Sequence, residues 1–308
     1  MTRELVFIHG RAQQGKDSAA LKQEWVECLA KGLAANDPPL PAIDADRIRF
    51  PFYGDALDQM TKGTAPDEAA EVIVRGEPEL DDSARRFMFE VFEEIRTTYE
   101  IPDDEVSAQA GVPVTERGPL NWPWIRGILQ RLDRVPQLSA TTIALATYDV
   151  FQYLTNGVIR RRIDRGILQA MTPGIESIVV GHSLGTVVAY TLLLREGTPR
   201  GWKVPLFVTV GSPLAVNAIR DRAPGVGEVG GNRTPSCATA WFNAMDPRDA
   251  VALHPLTVEH FRLNPSEPAI ENKTDVDNPT SNRHGIVGYL GDPVVAKRIY
   301  AALNDDPS

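Results

Sequence analysis

Hydrophobic positions along the chain gather into short unbroken runs rather than alternating singly with polar ones. Residues 5–8, 48–53, 178–180, 206–210 and 238–242 form such runs, each bounded by turn residues or followed by a helical pattern. A continuous apolar run suits a strand covered on both faces, as in a parallel sheet. Between these runs, residues 18–34, 141–171, 184–195 and 294–303 carry helical patterns. Strands that alternate with helices predict an α/β fold with a mostly parallel sheet flanked by helices.

Residues 55–135 break this rhythm. They hold no run that reads as a core strand. Acidic and Pro/Gly-containing stretches (Ala65-Pro66-Asp67-Glu68, Gly76-Glu77-Pro78, Pro102-Asp103-Asp104-Glu105) flank helical pieces around 87–95 and 124–132. The aromatic residues Phe87, Phe89, Phe92, Tyr99, Trp122 and Trp124 call for burial, which argues against disorder. The segment is expected to be a largely helical insertion, a lid, within a single domain spanning 1–308. It enters after Tyr53-Gly54, at the end of a predicted strand, and should therefore emerge over the C-terminal edge of the sheet, where such sheets place their ligands.

Composition narrows the function classes. The 308 residues are 43% hydrophobic, enough for a sizeable core, and the formal net charge of -9 disfavours nucleic acid and anionic membrane surfaces as partners. The two cysteines, Cys28 and Cys237, stand far apart in no metal-like spacing, so neither a disulfide framework nor a thiolate metal site is indicated. The first apolar run is too short for a signal peptide, and no stretch is long enough to span a bilayer. A cytoplasmic location without integral membrane association is the expectation. Oligomeric state is not legible.

The chemistry concentrates at Gly181-His182-Ser183-Leu184-Gly185, a G-x-S-x-G between a predicted strand and a predicted helix. A serine at such a turn is held in a strained conformation with its hydroxyl above the sheet, and the helix behind it directs its N-terminal amides towards developing negative charge. A chance match is the competing reading, and the flanking strand and helix weigh against it. A serine hydroxyl needs a base, itself oriented by an acid. Among His9, His182, His254, His260 and His284, the last has the best setting. Asn282-Arg283-His284-Gly285 follows a long polar loop and precedes the last helical stretch, whereas His254 and His260 follow the proposed acid too closely. Asp246 and Asp249 both come just after the strand expected at 238–242. Asp249 is preferred, because Asp246 precedes Pro247 and can serve simply to start the turn, but Asp246 stays open as the alternative.

These residues resemble the α/β-hydrolases, and locally their lipase- and esterase-like members. Gly181-His182-Ser183-Leu184-Gly185 is similar to the lipase elbow, Gly211-Ser212-Pro213-Leu214 to the segment after the next strand, and Asp249-Ala250-Val251 to the acid segment D-x-V. Phe7-Ile8-His9-Gly10 resembles the family's H-G oxyanion strand. The resemblance implies a serine hydrolase acting on a small-molecule or lipid acyl ester through Ser183, Asp249 and His284, by way of an acyl-enzyme and with no cofactor or metal. It implies oxyanion donors at the amides of Arg11 and Leu184, with His9, Gly10 and His182 bordering the substrate. It also implies that the usual leading strands are lacking, since the chain opens on the oxyanion strand. Trp122 and Trp124 either line an acyl pocket or belong to the insertion's own core.

Two rivals remain. Gly10 to Lys16 nearly matches a phosphate-binding P-loop, but Asp17 stands where the Mg²⁺-binding hydroxyl belongs and no acidic companion strand is evident. A catalytically inactive hydrolase fold serving as a binding module is the other.

Overall fold

The computed structural model describes residues 3–10, 17–53, 80–223, 234–261 and 270–304. Its first strand is β1 (Glu4–Ile8), buried at all five positions. Successive side chains of a strand point to opposite faces. Val6 and Ile8 accordingly enter one apolar cluster, and Leu5 and Phe7 enter another. The remaining strands are β2 (Ile48–Arg49), β3 (Ser177–His182), β4 (Phe207–Val210), β5 (Trp241–Ala244) and β6 (Glu271–Lys273). All pairings are parallel, in the order β2-β1-β3-β4-β5-β6.

A parallel sheet needs both faces covered. On one face lie α1 (Ser18–Ala34), the short α9 (Ile286–Gly291) and α10 (Pro293–Asn304), with Trp25, Leu29, Tyr289 and Ile299 in the shared core. The other face carries α5 (Ala140–Thr155), α6 (Gly157–Ala170) and α7 (Leu184–Glu196). The helices of the insertion, α2 (Asp82–Thr98), α3 (Asp103–Ala110) and α4 (Trp122–Leu132), join the same cluster. A four-residue helix, α8 (Asn217–Arg220), follows β4. Asp17 caps α1, its carboxylate accepting from the amides of Ala19 and Ala20. None of the helices among the described residues is long and apolar enough to cross a membrane.

The structure departs from the sequence pattern at four places. The run 48–53 pairs only at Ile48 and Arg49, because Pro51 has no amide for the ladder. β5 starts at Trp241 rather than 238: the amide of Ala238 is taken by a turn to Pro235, leaving only an isolated bridge to Val204. The expected helix over 141–171 is two helices. Asn156, at ψ 98°, ends α5, and its side chain then caps α6 by accepting from Val158 and Ile159. Finally β6, Glu-Asn-Lys, carries no apolar residue and was outside any predicted strand; it is a half-exposed edge, where polar side chains are tolerated. Of the insertion, residues 55–79 lie outside the described residues, and the rest is largely helical.

α7 approaches β1 closely at Gly185. A Cβ on Gly185 would lie 2.1 Å from the carbonyl oxygen of Ile8. Gly185→Ala must push the helix off the strand, and the expected loss is about 2 kcal/mol or more, at the upper end for overpacked sites. The urea midpoint relative to wild type measures it; an unchanged midpoint would mean the helix yields freely.

Candidate active site

The strand order reverses between β1 and β3: from β1 the chain moves outward to β2, and from β3 outward to β4, β5 and β6. Connections leaving the two strands diverge to opposite faces, which opens a crevice at their C-terminal ends. His9 and Gly10 end β1 in this crevice and Ser183 follows β3 in it. A Cβ on Gly10 would lie 2.8 Å from Cβ of Ser183.

Ser183 has φ 55° and ψ -127°, a conformation that disfavours any side chain and costs on the order of 1–3 kcal/mol. Its surroundings enforce it. The Ser183 amide donates to Val210 of β4, and its carbonyl accepts from both the amide and the hydroxyl of Thr186. Ser212 donates in turn to the Thr186 hydroxyl, 2.8 Å away, since that hydroxyl's own proton is already committed. The side chain is thereby aimed at His284.

His284 Nε2 lies 2.8 Å from Ser183 Oγ, and its Nδ1 lies 2.7 Å from Asp249 Oδ2. A carboxylate can only accept, so Nδ1 carries the proton and Nε2 is left to accept from the serine hydroxyl. The loop bearing His284 is fixed through its backbone: the amide donates to Asn282 Oδ1, and the carbonyl accepts from His182 Nε2 at 2.8 Å. Asp249 is buried and saturated. Its Oδ1 accepts from the amides of Val251 and Ala252, and its Oδ2 accepts from Tyr289 as well as from His284.

Asp246, the alternative acid, is engaged elsewhere. Its carboxylate accepts from the amide, Nε and Nη2 of Arg248 and from the amide of Asn278. Burial opposes its charge, but the Arg248 and Asn278 bonds outweigh that and hold its carboxyl below the ordinary range. It ties the turn after β5 to the loop that leads to His284. Of the two aspartates, only Asp249 meets the imidazole among the described contacts.

The other expected site residues are placed as follows. Leu184 is the first residue of α7, so its amide has no intrahelical acceptor and faces the end of the turn. Arg11, like the rest of the P-loop-like segment from 11 to 16, lies outside the described residues. His9 and His182 are corrections: neither presents its ring to an open site. His9 is fully buried, stacked on Tyr53 at 3.9 Å, accepting from the Tyr53 amide through Nε2 and donating from Nδ1 to Gly10. Burial pushes it down to about 4, and burial together with the nearby His284 pushes His182 down to about 3, so both stay neutral. They support the two strand ends from behind.

Trp122 and Trp124 take the second of the two places expected for them, the core. Both are buried in the packing of the insertion, where the indole N–H of Trp124 donates to Glu93 Oε1. A small apolar cleft lies instead against α2, with a cavity volume of about 10 Å³, room for about one water molecule. Val91 and Ile95 of α2 wall it on one side, Ile143 and Thr147 of α5 on another, and Pro213, Ala250 and Val251 at the end nearest Asp249. Glu94 anchors α2 there by accepting from the Asn217 amide and facing His254 Nε2 at 3.3 Å. No sequence pattern marked Val91, Ile95, Glu94 or Tyr289; Tyr289 reads as an ordinary apolar position of a short helix. Among the described residues no cluster of histidine, cysteine and carboxylate is placed to hold a metal. No family model matches the chain, and no curated protein or solved structure matches it.

The Asp246 bonds give a pH test. A carboxyl depressed in the folded state stabilises the fold above its unfolded value, near pH 4, and that contribution is lost as pH falls through the folded value. Asp246→Asn should therefore cost about 1–3 kcal/mol at neutral pH. The gap in thermal midpoint between variant and wild type should close in acid. A gap that persists there would mean the loss is one of packing.

Proposed function

We propose that the chain is a serine hydrolase with an α/β-hydrolase fold, cleaving an ester-like acyl substrate. The observation that carries this reading is the hydrogen-bonded line from Ser183 through His284 to Asp249, built on a strained serine at the strand-order reversal. A hydroxyl held at that cost and aimed at a correctly protonated imidazole is the arrangement nucleophilic catalysis requires. The six-stranded parallel order, with the serine after the third strand, the acid after the fifth and the base after the sixth, agrees with the nucleophile–acid–base order of that fold.

In the first step Ser183 Oγ bonds to the carbonyl carbon while its proton passes to His284 Nε2. Asp249 stabilises the imidazolium, and the Leu184 amide donates to the oxyanion. The bond to the leaving oxygen then breaks, and Nε2 returns the proton to it. Water repeats the sequence on the acyl-serine, giving the acid and free Ser183.

A fluorophosphonate probe is expected to label wild type at Ser183 and to leave Ser183→Ala unlabelled; label on the variant removes the reading. Asp249→Asn should lower kcat by about 10³–10⁴-fold, the scale for a neutralised triad acid.

A further inference from the structure

α9 begins two residues beyond His284 and returns a tyrosine to the acid. The Tyr289 hydroxyl donates to Asp249 Oδ2 at 2.6 Å and accepts from the Asp246 amide at 3.3 Å. The oxygen it touches is the one that holds the His284 Nδ1 proton, at 2.7 Å. Its ring has no freedom to leave: it is fully buried, and it packs so closely on Gly211 that a Cβ there would lie 2.9 Å from its Cε2. Gly211 has φ 57°, so the backbone itself is shaped to admit the ring.

We propose that Tyr289 is a positioning residue that sets how strongly Asp249 holds the His284 proton, an inference that rests on the serine-hydrolase reading above. An oxygen with two donors offers each of them less than it would offer one. Oδ1 is already occupied by the Val251 and Ala252 amides, so the Tyr289 bond also fixes the rotation of the carboxylate. Tyr289 thereby moderates the basicity that Asp249 lends to the imidazole. Burial and the Asp249 carboxylate hold its phenol well above the ordinary range, so it remains a donor throughout.

The neighbouring ionisable groups do not obscure this coupling. His182, 4.9 Å from His284 between ring centres, is held neutral by burial. Asp246 is committed to Arg248. Tyr99, which senses both carboxylates, is pushed up to about 12 by burial.

The test uses the full chain with Tyr289→Phe and with 3-fluorotyrosine at 289, which keeps the hydroxyl and makes it a stronger donor. Two readouts are taken: the NMR resonance of the His284 Nδ1 proton, which needs no turnover, and the pH profile of kcat/KM on an ester. In Tyr289→Phe the resonance should move downfield, and the acid limb should move to higher pH by about 0.5–1 unit. Fluorotyrosine should move both the other way. If both variants fold and neither readout moves, Tyr289 is packing alone and the inference is overturned. If the resonance moves as stated but no form of the protein cleaves esters or takes a fluorophosphonate, the coupling stands and the hydrolase reading fails. Should Tyr289→Phe not fold, the fluorotyrosine shift decides alone.

Discussion

Most of what is special in this structure follows from one turn of backbone. Ser183 sits at φ 55° between β3 and α7, and three elements hold it there: β4 through Val210, α7 through Thr186, and β1 through the approach of Gly185 to Ile8. A residue in that region of backbone space persists only when its surroundings over-determine it. The parallel order of β1, β3 and β4 is therefore more than a scaffold. It supplies the acceptor, the close neighbour and the helix that make the conformation affordable, and it puts the end of β1 beside the serine.

Charge is apportioned with similar economy. Two aspartates three residues apart, both buried, would repel if left alike. The fold separates them: Asp246 is neutralised by Arg248 and spends its bonds on the loop at Asn278, while Asp249 faces an imidazole, a phenol and two amides. Around them the two other buried imidazoles are kept neutral by desolvation, the dominant effect on an uncompensated buried base. The charge that faces His284 is thus that of the Asp249 carboxylate alone.

The insertion contributes through α2 rather than through its tryptophans. An amphipathic helix has one apolar stripe, and α2 divides its own: Phe87, Met88 and Phe92 enter the common core while Val91 and Ile95 also reach the cleft. Trp124 is drawn inward by the Glu93 carboxylate, which also gathers Arg96 and Arg117. A buried indole needs a partner for its N–H, and that requirement fixes the ring away from the cleft.

The alternation of strands and helices, the helix from Ser18 to Ala34 and the placement of Ser183 between a strand and a helix were legible because each depends on local rules: apolar runs, helical periodicity and turn chemistry. The sequence also narrowed the carboxylate expected to meet a histidine to Asp246 or Asp249, and it singled out His284 as that histidine. The rest was decided by neighbours distant along the chain. Which aspartate meets the imidazole depends on where Arg248 and Asn278 lie. β6 exists only because β5 offers an edge to its polar residues, and α5 and α6 part at Asn156, whose side chain caps as readily as it continues. Tyr289 reaches Asp249 from 40 residues away. Periodicity records which face of an element is apolar, but it holds no record of which partner that face will meet, and hydrogen bonds between side chains so far apart are set only when the sheet brings them together.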